Sequence, residues 1–406
     1  MRRTTMMGAI LGGALLLTAC GGGGGGTGGG TGGAAGGVAA GGGTASAPAP
    51  AKASAAVLSI EPGDGAKDVA PGAVKVSVAS GKLSEVTVTD QDGKPVEGAI
   101  AADNLTWTPA PGGLAVGTTY RVNARAADAD GVGTTATSTF STLVPQRTVK
   151  VEDNVKTGED FGVGMIISVD FGGLKVKNKE AVERAIVVEA SDGSEVRGHW
   201  FENDTRLDLR PAEYWKPGTT VQVHLRTKSV ELAPGVYGAT ERDERFTIAR
   251  SRISEVDAAT HQMVVHEDGK PDQTIPIVAG TDDNPSWNGT MVISAKSRME
   301  PMSSEGQVGL KGPGYKTIDP HAMRLTNSGT YLHGNPEAWE AAGHTNISHG
   351  CIGLPDTPQG SDDTPGGKVY NVSKIGDVVI VRNSIKKQPL DPANGLSGWN
   401  LSWSQW

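Results

Sequence analysis

Short runs in which Val, Thr and Ile alternate with polar residues, each closed by Gly, Pro or Asp, constrain the fold of this chain most. Val74-Lys75-Val76-Ser77-Val78 and Val86-Thr87-Val88-Thr89 place apolar side chains two apart. That is the period of a strand with one buried face. Asp90-Gln91-Asp92-Gly93 follows as a turn. Strands at this spacing predict a β-sandwich of roughly 90 residues starting near Val57. The pattern then recurs. Thr108-Pro109 followed by Gly117-Thr118-Thr119-Tyr120-Arg121-Val122 is echoed by Arg210-Pro211 followed by Gly218-Thr219-Thr220-Val221-Gln222-Val223. The echo predicts two related sandwiches in tandem, 57–145 and 146–250, divided near Val144-Pro145. Neither contains a cysteine, so neither holds the inter-sheet disulfide of antibody domains.

A third region, 251–385, has strand-like pieces at His261–His266 and Gln273–Val278. Gly376–Val381 reads as a buried strand from its continuous apolar run. The best helix candidate is Pro336 to Ala342, with Asn335 as N-cap and Pro336 at the first helical position. The expected fold class is therefore mainly β, with one short helix. The tail, 386–406, carries Trp399, Trp403 and Trp406. Three exposed indoles are unusual, so the tail is expected to fold back as a clasp; stacking on carbohydrate is the alternative.

The N-terminus is a targeting segment and stands apart from the fold. Arg2 and Arg3 precede a short apolar stretch, Met6 to Thr18, which ends in Leu17-Thr18-Ala19-Cys20. That ending resembles a bacterial lipobox, so residues 1–20 read as a lipoprotein signal, with cleavage expected just before Cys20 and a lipid expected on its thiol. Residues 21–56 are nearly all Gly, Ala, Ser, Thr and Pro, a flexible tether with a coil dimension on the order of 30 Å. The net charge of -8 argues against a general nucleic-acid partner. Two cysteines are present, and the lipobox accounts for one. Cys351 is left without a disulfide partner in an exported chain, which points to a used thiol rather than an inert one.

The chemistry concentrates between Tyr315 and Gly353. His333-Gly334 is followed, after a gap ending at Ile347, by Ser348-His349-Gly350-Cys351. A thiol needs ionisation to attack, and a nearby imidazole is the usual means. Gly350 removes a side chain beside the nucleophile, so main-chain N–H groups there can approach an oxyanion. A zinc hydrolase using His333, His349 and Cys351 is a competing reading, but His-Glu-x-x-His is missing. His321 and the pair Asp362-Asp363 have no supporting constellation and read as ordinary.

This string resembles the signature of L,D-transpeptidases with a YkuD-type catalytic domain. The wider layout is similar to the mycobacterial branch: export signal, linker, two immunoglobulin-like domains, catalytic domain and Trp-rich ending. Gly343-His344-Thr345-Asn346 and Trp399-Asn400 support that likeness. The resemblance implies that Cys351 is the acyl-accepting nucleophile and His333 its base, oriented by the Gly334 carbonyl. It makes His349 a shaper of the nucleophile's turn, and it places Tyr315, Gly350, Ser348 and Asn346 around the oxyanion or substrate. Implied partners are donor and acceptor stem peptides of peptidoglycan, carbapenems as covalent inhibitors, and the membrane through lipid on Cys20. No metal or organic cofactor is implied. The implied location is the outer face of the cell membrane, reaching into the wall, with both sandwiches as spacers. One departure stands out. Gly353 occupies a position where the family usually has Asn or Arg, which leaves a decayed, wall-binding scaffold as the alternative. Gly334 likewise replaces a hydroxyl residue of some relatives.

Overall fold

The computed structural model describes residues 52–110, 112–305, 310–312, 314–385 and 389–406. The expected export segment, Cys20 and most of the expected tether lie outside them. In the first sandwich, strands Val57–Glu61, Lys75–Ala79, Thr106–Pro109 and Gly98–Ile100 form one sheet in that spatial order. Lys82–Asp90, Thr119–Ala127 and Gly133–Ser141 form the other, wholly antiparallel. Alternation decides which side chains go inside. Tyr120, Val122, Ala124 and Ala126 are buried while the residues between them face outward. They meet Val76, Val78 and Trp107 from across the sandwich, and Val88 packs beside them in their own sheet.

The second sandwich repeats the plan with a fuller core. Thr220–Arg226 sits between Glu241–Ile248 and Ile186–Ala190, and buries Val221, Val223 and Leu225. Arg206–Pro211 lies between Val196–Phe201 and Ile167–Asp170 in the facing sheet. The echoed segments thus begin equivalent strands, Thr119–Ala127 and Thr220–Arg226. Gly117 and Gly218 just ahead of them have φ of 64° and 85°, a conformation that suits glycine. A short helix, Lys179–Ala185, which the sequence did not suggest, covers one side with Val182.

The third region packs two sheets around one core. A five-stranded sheet runs Gln273–Pro276, Gln262–Glu267, Arg252–Asp257, Val378–Arg382, Gly289–Val292. Val378–Arg382 is interior to it, flanked by a parallel and an antiparallel neighbour. The second sheet runs Ala295–Ser303, Lys316–Arg324, Tyr331–Asn335, Ile352–Pro355, its last pair parallel. Val256, Met263, Met291, Leu332, Ile352 and Val379 fill the space between the sheets.

The expected helix at Pro336 to Ala342 shrinks to one 3-10 turn, Pro336–Ala338, although Asn335 does cap it through the Glu337 N–H. The region's α-helix is instead Pro365–Val372, capped by the Thr364 hydroxyl on the Gly367 N–H. Its Gly366 and Gly367 read as turn residues locally. Tertiary packing wins here, because a β-carbon at Gly366 would meet Asp356 Oδ2 at 2.4 Å and one at Gly367 would meet the Ser361 carbonyl oxygen at 2.1 Å.

The tail crosses onto the second sandwich. Trp399 Nε1 donates to the Gly164 carbonyl and Trp406 Nε1 to the Arg197 carbonyl, both at 2.8 Å. The Arg210 guanidinium lies 4.5, 5.6 and 4.2 Å from the rings of Trp399, Trp403 and Trp406. Asn400 bonds both ways to the main chain of Thr290, so the same segment also holds the catalytic sheet's edge.

Candidate active site

Cys351 and His333 come from two neighbouring parallel strands. Leu332 pairs with Ile352 and His333 with Gly353. One step earlier, the Tyr331 N–H donates to the Cys351 Sγ at 3.4 Å. Paired residues share a face of a sheet, as do residues two apart along a strand. His333 and Cys351 therefore project to the same side as diagonal neighbours, within reach of longer side chains. The other face sends Leu332, Ile352 and Leu354 into the core. One strand pair both anchors the domain and sets the Cys351 thiol on the same side as the His333 imidazole.

His333 is only 5% exposed, and its Nδ1–H donates to the Gly334 carbonyl at 2.7 Å. That bond selects the tautomer whose Nε2 carries the lone pair. Burial holds the imidazole below its ordinary range, opposed by the Asp319 carboxylate, the Gly334 carbonyl and Asp356. Asp319 Oδ2 stands 3.9 Å from Nδ1, while its Oδ1 accepts from the Thr317 hydroxyl at 2.6 Å. Burial pushes the Cys351 thiol up to about 12; the Tyr331 N–H pulls it down and Asp319 adds to the rise. The resting pair is thus a neutral thiol and a neutral imidazole. Among the described residues the thiol bonds to the Tyr331 N–H and, at 3.8 Å, the Gly329 carbonyl, rather than to His333.

The turn before Cys351 is held by Ser348. Its hydroxyl donates to the Cys351 carbonyl at 2.6 Å and accepts the Gly350 N–H at 3.1 Å. Gly350, expected to offer its N–H to an oxyanion, has that group committed to Ser348. It is glycine for its φ of 115°, since an added β-carbon would meet nothing nearer than 3.8 Å. His349 is exposed and lies against Tyr315, ring centroids 4.9 Å apart. Tyr315 and Cys351 pack on Met302, Ala322 and Tyr331, so Tyr315 and His349 form a wall beside the thiol. Asn346 was expected in the pocket, but its amide serves as scaffold. Its Oδ1 accepts from Ala279 N–H at 2.8 Å and faces His261 Nδ1 at 3.0 Å, and its Nδ2 donates to the Ala258 carbonyl. Among the described residues no group of three His, Cys, Asp or Glu is placed to hold a metal ion.

A family model described as an L,D-transpeptidase catalytic domain matches residues 251–381, and one described as a bacterial Ig domain matches 66–231. The chain is 32% identical over 347 residues to L,D-transpeptidase 2 of Mycobacterium tuberculosis, covering 84% of this chain and 82% of that protein. The chain belongs to the L,D-transpeptidase family. L,D-transpeptidase 5 of the same species is 29% identical over 359 residues, 86% of this chain and 76% of that one. An L,D-transpeptidase solved in complex with imipenem matches 59% of this chain and all of its own at 25% identity, with a TM-score of 0.48.

Both departures of this L,D-transpeptidase from its family's pattern have a packing cause. A β-carbon at Gly353 would lie 2.7 Å from Val278 Cγ2 and 3.0 Å from the Asn335 β-carbon. The edge chain also bridges there, Val278 and Gly353 exchanging main-chain bonds of 2.9 and 2.8 Å. A β-carbon at Gly334 would lie 2.2 Å from Asp356 Oδ2, so a carboxylate occupies the room a hydroxyl side chain would need. Sequence reasoning missed Asp319 and Asp356, and took His321 for ordinary although it pairs with Asp356. No local motif could have found them, because 35 residues separate His321 from Asp356 and only the fold joins them.

Proposed function

We propose that this L,D-transpeptidase forms 3→3 cross-links in peptidoglycan through a thioacyl enzyme on Cys351. The observation that carries the reading is the placement of Cys351 and a tautomer-locked His333 on one face of adjacent parallel strands. In the first step His333 Nε2 takes the thiol proton as Sγ attacks the carbonyl before the donor's terminal D-residue. A half-buried thiol pushed up by desolvation, beside a buried imidazole held low, favours transfer during attack over a standing thiolate. The Cys351 N–H, with the Tyr315 hydroxyl, receives the oxyanion. The C–N bond breaks, and the proton on His333 leaves with the amine of D-alanine. A side-chain amine of a second stem then attacks the thioester, losing its proton to His333, and the thiol is regenerated. Water in place of that amine gives carboxypeptidase activity. No step calls on a metal or organic cofactor.

Carbapenems fit the same reading, since a strained β-lactam carbonyl offers Sγ an acyl group with no departing amine. Lipid on Cys20 would hold the enzyme at the outer face of the membrane, with the tether carrying the catalytic region into the wall. The test is intact mass after incubation of residues 57–406 with a carbapenem. One adduct, lost in Cys351→Ala and slowed at least a hundredfold in His333→Ala, is the expected result. A folded protein with no adduct would return the scaffold reading to the front.

A further inference from the structure

Behind the carbonyl that orients His333 lies a buried pair that the proposed reaction does not use. His321 Nδ1–H donates to Asp356 Oδ2 at 2.7 Å, and both side chains are 0% exposed. The other carboxylate oxygen accepts from the Thr357 N–H at 2.7 Å, the Ser361 N–H at 3.2 Å and the Thr364 hydroxyl at 2.8 Å. The carboxylate also stands at the N-terminus of helix Pro365–Val372, which favours negative charge. It is wedged between Gly334 and Gly366, where added β-carbons would approach Oδ2 to 2.2 and 2.4 Å.

Stability alone does not account for this pair. Buried ion pairs exchanged for apolar groups are often neutral or stabilising. His321 also adopts a φ of 51°, strained for a residue with a β-carbon. Its Nε2 has no hydrogen-bond partner, the nearest carboxylate being Asp362 at 3.5 Å. Asp356 accepts at both oxygens, one bond at Oδ2 and three at Oδ1, the acceptor-only pattern of an ionised carboxylate.

His333 has to become an imidazolium in a site that disfavours one. The groups facing it are few. Asp319 comes from the neighbouring strand at 3.9 Å, part-exposed; the Cys351 thiol comes from the other side; the Gly334 carbonyl lies on its own strand. From the helix side, Asp362 approaches only His321, at 3.5 Å, and is already tied to Arg298 and Asn371. Asp356 is the fully buried carboxylate of the set, and it touches the residue whose carbonyl holds the ring.

We propose that Asp356, locked by His321, is a positioning residue for the general base: it seats the Gly334 carbonyl and supplies a buried negative charge that favours the imidazolium formed during acylation. This rests on His333 being the base. Asp356 acts through Gly334 and across space, without touching substrate.

The test is the pH profile of carbapenem acylation, followed by intact mass in the full catalytic chain. Wild-type acylation rises with pH as His333 loses its proton. In Asp356→Asn the midpoint of that rise moves to lower pH by roughly half a unit or more, and the plateau falls on the order of tenfold. Both shifts follow from one lost charge, which leaves a weaker base that is free at lower pH. His321→Gln keeps the charge and lowers only the plateau. A purely structural role would scale the rate in both variants and leave both midpoints in place, and that result overturns the proposal. Should Asp356→Asn not fold, the wild-type midpoint at low and high salt decides. Insensitivity to salt supports a buried charge, and a strong dependence assigns the effect to part-exposed Asp319 and sinks the idea. Adduct formation by Cys351→Ala would instead overturn the reading of the nucleophile.

Discussion

The two sandwiches begin from the same sequence echo and end in different relations to the chemistry. The core of the first is closed on itself. That of the second runs from Phe161, Trp215 and Phe246 into Val292 and Val378 of the catalytic region and Leu396 of the tail as one cluster. Main chain joins the two as well, Gly162 N–H to the Ile375 carbonyl at 2.8 Å and Gly164 N–H to the Gly376 carbonyl at 2.9 Å. Such an approach needs glycine, because β-carbons there would come within 2.3 Å of the Asp377 nitrogen and 2.4 Å of Val378 Cγ2. Arg250 adds an ion pair to Asp377 at 2.9 Å, and Arg206 donates to the Ala393 and Gly395 carbonyls. The expectation that both sandwiches are spacers therefore fails for the second, which is a wall of the catalytic unit. What a repeat does is decided by residues that break the repeat.

The comparison makes its largest prediction through truncation. Removing residues up to 145 leaves the shared core whole, so carbapenem acylation should stay within about twofold. Removing residues up to 250 strips Val292, Val378 and Trp399 of their partners. The remainder should be insoluble, or should lose acylation by more than about a hundredfold, because a cut core exposes a large apolar face. Equal behaviour of the two truncations would erase the distinction.

Arg210 tests the joint by one side chain. It is 1% exposed, burial pushes its guanidinium down to about 10, and it donates to the Leu401 carbonyl at 2.9 Å beneath three indoles. Arg210→Met keeps the stem but loses the hydrogen bonds and the cation–π contacts, at a cost of about 3 kcal/mol. Calorimetry should show the fused unit melting earlier with the first sandwich unmoved. A matched pair refines this. Val378→Ala and Val76→Ala each delete two buried methyl groups, costing about 2 kcal/mol. Only the former should move the transition of the fused unit, and only the latter that of the first sandwich.

Period-2 alternation made the strands legible, and the complete string from His333 to Cys351 singled out two side chains that the fold sets on one face of adjacent strands. Both are local signals. The fusion of the second sandwich to the catalytic region was not legible, because Gly162 and Gly164 look like any turn glycines until Asp377 and Val378 are beside them. The helix at Pro365–Val372 was hidden for the same reason, its two glycines being demanded by neighbours distant in sequence. Asn346 sat within a family string and so drew a substrate role, while its three bonds run to Ala258, Ala279 and His261. Motifs report which residues matter; only contacts report how.

The smallest expected effect lies between the two sandwiches. The Val116 N–H donates to the Ser229 hydroxyl at 3.2 Å, and the Gln146 N–H to the Gly235 carbonyl at 3.2 Å. The first of these is a neutral side-chain bond, part-buried, of a kind that contributes about 1 kcal/mol net or less. Ser229→Ala should leave both melting transitions nearly in place and acylation unchanged. The angle between the sandwiches should widen in distribution, read by small-angle scattering. A large loss of stability would mean that the first sandwich is as integral as the second, and the contrast between them would collapse. An unchanged scattering profile would mean that main-chain contacts such as Gln146 to Gly235 set the angle alone, leaving the first sandwich a rigid extension and not a hinged one.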